Sequence, residues 1–375
     1  MLTRKSIRRT GLAAVLCIAA VAVLGTSAGC ARNTGTQTTE VNVVSYISTD
    51  SHVYSSTAEV VNAVADSVVE ISTESVTTQW GMQYIVSGAG SGVIVGKAGE
   101  AEYYIVTNNH VIDGAKNITV RTRGGAVHSA ALVATDDSAD IAVIKISTSG
   151  ELNVAVWGDS DDLQIGEDLI AIGNPLGSLG GTVTKGILSA TGRSIEVGNY
   201  AMTLLQTDTA INPGNSGGGL FNMRGELIGV VNAKTTDEEI EGICFAIPAN
   251  TARSVYDSLV EYGYLKGRAT FNITVADGTL GTGGINTQSQ SIVYVTDAGN
   301  AAEGTFAKYD RIYSVDGEQV SSVLELNKAL AKIEVGETVK IGVYRGSVSQ
   351  SWIGNSISFS TDLTEFNVTA AQYGA

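Results

Sequence analysis

Histidine is scarce in this chain of 375 residues: three occur, at positions 52, 110 and 128. Chemistry that needs an imidazole base therefore has few places to sit. Cysteine is equally rare, at positions 17, 30 and 244. The first two belong to an N-terminal leader, so no intrachain disulfide is expected in the remainder. Cys244 stands inside the apolar run from Ile243 to Ile247, which suits a small core side chain. A nucleophilic role would need its own histidine partner, and none is left over. Positive charge is short as well, with 23 Lys+Arg against 38 Asp+Glu. The leader holds four of the basic residues and no acid, leaving 19 against 38, a net charge of −19, for the rest. Such a balance argues against nucleic acid as a partner and against adhesion to anionic lipid headgroups. The acidic clusters Asp159-Ser160-Asp161-Asp162 and Asp237-Glu238-Glu239 lack the spacing of a calcium loop and read as solvated turns. No motif implies a metal or an organic cofactor.

Proline is nearly absent at 3 residues, whereas glycine is plentiful at 44. Val/Ile/Thr-rich runs alternate with turn signals in the rhythm of an antiparallel β protein. The expected fold class is mostly β, with few helices. Ser56-x-x-Glu59 is a capping box ahead of Val60, Val61, Val64 and Val68. A second helix is expected from Asn250 to Tyr262, with Ala252, Val255, Tyr256 and Leu259 on one face and Gly263 ending it.

The first thirty residues are set apart from the fold. Arg4, Lys5, Arg8 and Arg9 precede the apolar run Leu12 to Leu24, and Ser27-Ala28-Gly29-Cys30 follows, as in an export signal. Ala-Gly-Cys resembles the bacterial lipobox, which implies lipidation at Cys30. An uncleaved anchor is the alternative, although so short a run spans the ~30 Å hydrocarbon core poorly. Either way the chain is expected outside the cytoplasm and tied to a membrane through its N-terminus. Residues 31–55 read as a flexible tether.

The most informative stretch is Gly214-Asn215-Ser216-Gly217-Gly218-Gly219-Leu220. It sets a hydroxyl in a backbone free enough to turn its amides toward a substrate. Upstream lie His110, in Thr107-Asn108-Asn109-His110-Val111-Ile112, and Asp140, in Asp137-Ser138-Ala139-Asp140-Ile141-Ala142-Val143. A serine hydroxyl attacks poorly until a neighbouring base removes its proton, and an aspartate fixes the tautomer of that base. The chain order His, Asp, Ser goes with a chymotrypsin-type double barrel. Asp136 and Asp137 rival Asp140, but Asp140 directly precedes the apolar strand Ile141-Ala142-Val143-Ile144, which would carry its carboxylate inward. The amides of Gly214 and Ser216 are the candidate oxyanion donors. His52 sits in a polar stretch and His128 in a strand-like alternation, so neither is a candidate base.

These motifs make the chain resemble the HtrA (DegP/DegS-like) family of trypsin-fold serine proteases. Matching segments include Ser91-Gly92-Val93-Ile94-Val95, Ala171-Ile172-Gly173-Asn174-Pro175-Leu176-Gly177, Gln206-Thr207-Asp208-Thr209-Ala210-Ile211-Asn212-Pro213 and Gly242-Ile243-Cys244-Phe245-Ala246-Ile247-Pro248. Together they cover most of residues 57–265. One departure is Gly219, where the family favours proline or alanine; it is expected to add flexibility beside Ser216. The resemblance implies a protease domain over 56–266. It also implies ATP-independent endoproteolysis of unfolded or misfolded polypeptide, a homotrimer, and regulation through a loop at Ser194 to Thr203. A basic-specific pocket would need an acid six positions before the serine, where Ala210 stands. Ile211, Val231 and Ala233 would instead line a small apolar S1 pocket. A non-catalytic chaperone or peptide-binding scaffold on the same fold is the alternative function.

Beyond residue 267 the segments Val293-Tyr294-Val295 and Tyr309-Asp310-Arg311-Ile312 resemble a PDZ domain, an α+β unit expected over 267–362 with a tail at 363–375. Ser322-x-x-Glu325 opens a helix with Val323, Leu326, Leu330 and Ile333 inward, and a strand from Thr338 to Tyr344 should end in a turn at Arg345-Gly346. Phe271, Asn272 and Ile273 align with the family's carboxylate-binding loop, and C-terminal peptides are the implied ligand.

Overall fold

The computed structural model describes residues 43–44, 46–47, 52–79, 81–174, 181–212, 214–233, 242–280, 289–299, 301, 304–351 and 354–374. The leader, Cys30 and the acidic run at 237–239 lie outside the described residues.

Alternating Val/Ile-rich runs form two antiparallel barrels in succession. The first uses β1 (Val68–Gln79), β2 (Met82–Ala98), β3 (Glu102–Thr107), β4 (Asn117–Arg121), β5 (Val127–Asp136) and β6 (Ile141–Ser147). Its order is β2-β1-β4-β5-β6-β3, and β2 pairs again with β3, so the sheet closes. The second uses β7 (Asp168–Gly173), β8 (Thr182–Val197), β9 (Tyr200–Thr207), β10 (Gly219–Asn222), β11 (Glu226–Asn232) and β12 (Cys244–Pro248). It closes through β10 and β11 in the order β10-β7-β8-β9-β12-β11. Closure removes the free edges that an open sheet leaves exposed.

Each barrel has its own interior, with Ile71, Ile105 and Ile144 in the first and Leu169, Leu220 and Ile228 in the second. A larger apolar cluster lies between the barrels, where Val93 and Val106 meet Phe221, Val230 and Tyr256. Burying an aliphatic or aromatic side chain of this size contributes roughly 1.5–3 kcal/mol. Helix α1 (Thr57–Val64) begins at Ser56, whose hydroxyl accepts the Glu59 amide, and buries Val60 and Val64. Val68 is not on that helix; it opens β1. Beyond Ile105 the chain forms the single turn α2 (Asn109–Ile112). Helix α3 (Ala249–Tyr262) buries Ala252, Val255, Tyr256 and Leu259, and ends at Gly263 with φ 80°. It packs on β5 and β6 of the first barrel and on β11 of the second, so one helix braces both.

The expected tether is partly paired. Val43–Val44 joins Lys97 and Ala98 of β2, and Tyr46–Ile47 runs parallel to Val156–Trp157. The segment Ser194 to Thr203 is likewise the tip of the β8–β9 hairpin rather than a loop, with Ser194 facing Thr203 and Val197 facing Tyr200. Gly219, expected to be flexible, is fixed in β10 between β7 and β11; a Cβ there would strike the Phe221 ring.

After the barrels comes an α+β unit whose sheet runs β13-β14-β15-β16-β17, from β13 (Thr274–Leu280), β14 (Gln290–Asp297), β15 (Arg311–Val315), β16 (Thr338–Ser351) and β17 (Gly354–Thr369). Helix α4 (Val323–Leu330) is capped by Ser322 and adds Val323 and Leu326 to the core. Two expectations fail here. The turn at Arg345-Gly346 is absent, because β16 continues through a register shift at that point and pairs with β17 as far as Ser351. Residues 363–369, set apart as a tail, complete β17, where Phe366 and Val368 pack on the core. Ala371–Gln372 then pairs with Ala269–Thr270.

At the shift Gly346 lies against the backbone of Tyr309: a Cβ at this position would run into the Tyr309 carbonyl. Substituting Gly346→Ala forces β16 or the turn carrying Tyr309 to move and should cost about 1–3 kcal/mol, as overpacking does. Urea unfolding of the variant beside the parent measures it; an unchanged midpoint would contradict the close approach.

Candidate active site

Strand β3 carries the chain to its end through buried residues, from Tyr103 to Thr107. Asn108, fully buried, follows, and α2 then presents His110. Asp140 lies in the turn between β5 and β6 with φ 49°, a left-handed conformation that few side chains tolerate and aspartate tolerates better than most. That conformation aims its carbonyl at Asn108 and Asn109: the Asn108 Nδ2 and the Asn109 amide both donate to it at 3.1 Å. The carboxylate is 6% exposed and also fully engaged. Oδ1 accepts the His110 amide at 3.0 Å, while Oδ2 accepts His110 Nδ1 at 2.7 Å and Asn232 Nδ2 at 3.0 Å.

On the other side of the ring, His110 Nε2 is 3.1 Å from Ser216 Oγ. A carboxylate can only accept, so Nδ1 carries the proton and Nε2 turns its lone pair toward the serine hydroxyl. The Ala233 amide also donates to Ser216 Oγ, at 3.3 Å. His110 comes from the first barrel and Ser216 from the segment entering β10 of the second. The three side chains thus meet where the barrels face each other. Such a chain of acceptor, imidazole and hydroxyl can draw a proton from the serine as its oxygen attacks.

The segment around Ser216 is tightly tied. The Gly217 amide donates to Val231 O at 3.0 Å, Val231 N to Gly218 O at 2.9 Å, and Gly218 N to Asn215 O at 2.9 Å. Gly214 has φ 103°, and its carbonyl accepts from Ser91 Oγ at 2.6 Å. Ile211 and Val231 are both buried in the apolar cluster of the second barrel, and Ala233 packs against that cluster. Asp208, which precedes this lining, accepts the Ile187 amide on Oδ1 at 2.6 Å. Cys244 lies in the same cluster, and burial pushes its thiol pKa up, away from the thiolate.

The rival aspartates have another partner. Arg268, 15% exposed, reaches Asp136 Oδ2 at 2.8 Å and Asp137 Oδ1 at 2.6 Å. Its guanidinium also donates to Tyr200 OH and lies 3.7 Å from the centre of the Tyr373 ring. Burial opposes its charge, but the two carboxylates outweigh burial and raise its pKa. Asp136 in turn accepts the Ala139 amide at 2.9 Å, one residue before Asp140. Asn232, Ser91 and Arg268 are the residues that sequence reasoning missed. Asn232 and Ser91 had a signal, since each is a polar residue in an apolar strand that must find a partner once buried.

In the C-terminal unit Phe271 is buried and packs on the Phe306 ring at 5.7 Å between centres. Asn272 adopts φ 55°, and its amide donates to Thr270 Oγ1 at 3.0 Å. Ile273 packs at the edge of the same core. The end strand β13 lies beside α4, whose first amide, at Val323, donates to Asp277 Oδ1 at 2.7 Å.

Fold and site geometry are those of the trypsin type of serine protease, followed by a PDZ-like unit. Family models agree: one described as a trypsin-like peptidase domain matches residues 90–230, and a PDZ domain model matches residues 278–352. The chain is 38% identical over 288 residues to the serine protease Do-like HtrA of Lactococcus lactis subsp. lactis, covering 71% of this chain and 70% of that one. It is 38% identical over 278 residues to a Bacillus subtilis protein of the same description, covering 69% of this chain and 61% of that one. It is also 39% identical over 271 residues to the periplasmic serine endoprotease DegP of Salmonella typhimurium, covering 71% and 56%. The chain thus spans about three fifths of the length of the Bacillus relative. Among solved structures, the HtrA-type protease AlgW with a decapeptide superposes with a TM-score of 0.53 at 29% identity, covering 85% of this chain and 99% of that one. A serine endoprotease from Yersinia pestis gives 0.53 at 31%, covering 86% and 99%. The chain belongs to the HtrA/DegP family of serine proteases.

The Arg268 pairing makes a stability prediction. Removing one member of a buried ion pair leaves the other uncompensated and costs about 3–5 kcal/mol. Arg268→Leu should lower the urea midpoint accordingly, and adding Asp136→Asn should recover part of the loss. Equal stability of Arg268→Leu and the parent would show that the pair contributes nothing.

Proposed function

We propose that the protein is an exported, ATP-independent serine endopeptidase that cleaves unfolded or misfolded polypeptides after small apolar residues. The observation that carries this reading is the continuous hydrogen-bonded path from Asp140 Oδ2 through His110 to Ser216 Oγ. Ser216 Oγ attacks the scissile carbonyl while His110 Nε2 takes its proton, and the carboxylate of Asp140 stabilises the imidazolium. The amides of Gly214 and Ser216 hold the oxyanion of the tetrahedral intermediate. His110 then gives its proton to the leaving amine, and an acyl group remains on Ser216. Water enters, loses a proton to Nε2 and attacks the acyl carbonyl, so collapse of the second intermediate restores the serine.

The apolar lining by Ile211, Val231 and Ala233, with Ala210 rather than an acid six positions before Ser216, supports cleavage after Val, Ala or Ile. A basic side chain placed there would be desolvated without a partner. In the PDZ unit, β13 beside α4 supports peptide capture by strand addition, with Asn272 and Ile273 at the carboxylate end. Assembly as a homotrimer and attachment to a membrane through the leader, by lipid at Cys30 or as an anchor, complete the proposal. Among the described residues no helix is long and apolar enough to cross a membrane.

Incubation with a fluorophosphonate probe, followed by peptide mapping, should label Ser216, and casein should be cut after Val, Ala and Ile. Ser216→Ala should remove both labelling and cleavage. A folded protein that neither reacts nor cleaves would favour a binding scaffold on the same fold. Cleavage surviving Ser216→Ala would place the nucleophile elsewhere.

A further inference from the structure

Ser91 is a fully buried hydroxyl residue that the steps above do not use. It lies in β2 of the first barrel, 123 residues from Gly214, yet two of its groups bind the segment that carries the nucleophile. Its hydroxyl donates to Gly214 O at 2.6 Å, and its amide donates to Ser216 O at 2.8 Å. The hydroxyl also accepts the Asn174 amide at 2.8 Å, and the Ser91 carbonyl accepts Thr107 Oγ1 at 2.7 Å. Ser91 is thereby held from both barrels.

From this geometry we infer that Ser91 is a positioning residue for the oxyanion site, an inference that rests on the proposed peptidase reading. Gly214 and Ser216 are the residues whose amides face the oxyanion in that reading, and Ser91 holds the carbonyl of each. At φ 103° Gly214 has the backbone freedom to turn its amide away, since glycine populates positive φ without steric cost. The Ser91 hydroxyl removes that freedom at the carbonyl side of the residue. Only Asn215 lies between the two anchors, and its amide is held by Asn212 O at 3.0 Å. The donors are therefore fixed before the negative charge develops, which is the condition under which they accelerate the reaction. Loss of the hydroxyl leaves the Asp140, His110 and Ser216 contacts intact and frees the backbone beside them.

The test is Ser91→Ala against the parent, with a peptide substrate bearing valine at the cleavage position and a peptide boronate as transition-state analogue. Removing one oxyanion donor outright lowers kcat roughly 10²–10³-fold, so a loosened donor should lower it about 10–100-fold. KM should stay within about twofold, boronate affinity should fall by the same factor as kcat, and the pH midpoint of kcat/KM should not move. Ser91→Thr, which keeps the hydroxyl, should recover most of the loss. If Ser91→Ala melts below the assay temperature, Ser91→Cys at similar volume supports the same comparison. Unchanged kcat and boronate affinity in a folded variant would overturn the inference, and so would a fall in kcat without weaker boronate binding. An inert parent protein would instead overturn the peptidase reading, and this inference with it.

Discussion

The structure depends on how Asp140 is held. Its backbone sits at φ 49°, its carbonyl takes two donors from Asn108 and Asn109, and its carboxylate takes three from His110 and Asn232. A left-handed, buried aspartate is costly unless its surroundings over-determine it. Here they do, and the donors come from both barrels. One aspartate, through its carbonyl and its carboxylate, therefore fixes the ring of His110, the chain leaving β3 and the end of β11 at once. The geometry around His110 and one polar link between the two barrels thus share the same contacts.

That arrangement extends outward through the turn preceding Asp140. Asp136 caps the Ala139 amide, and Arg268 neutralises Asp136 from the start of the C-terminal unit. Tyr373, near the chain's end, stacks on the same guanidinium. The C-terminal unit also meets the β8–β9 hairpin, where Asn327 donates to Asn199 O and Lys328 pairs with Glu196. The C-terminal unit thus touches the two barrels at two places, one of them four residues before Asp140. Exposed pairs such as Lys328–Glu196 contribute little to stability, whereas the Arg268 cluster is desolvated and geometrically exacting.

Much of this was legible in the sequence because it followed local rules. Capping residues Ser56 and Ser322 start the helices that their spacing predicts, and Gly263 ends α3. The scarcity of histidine left His110 as the one candidate base, and its expected position just after an apolar strand agrees with its place in α2, three residues beyond β3. What could not be read depended on distant partners. Ser91 and Gly214 are far apart in sequence, and nothing local says that one holds the other. Gly346 read as a turn because glycine usually marks one, whereas here it admits the Tyr309 carbonyl beside a continuing strand. The loop expected at 194–203 came from the family resemblance, whereas the segment alternates apolar and polar residues, pairs across a hairpin and buries Val197 and Met202.

Nitrogen-15 NMR of the imidazole side chains measures the orientation of His110 most directly, and three histidines make assignment tractable. The account predicts that neutral His110 carries its proton on Nδ1, with a downfield proton signal from the bond to Asp140 that disappears on Asp140→Asn. A neutral ring protonated on Nε2, or a signal indifferent to Asp140→Asn, would contradict it.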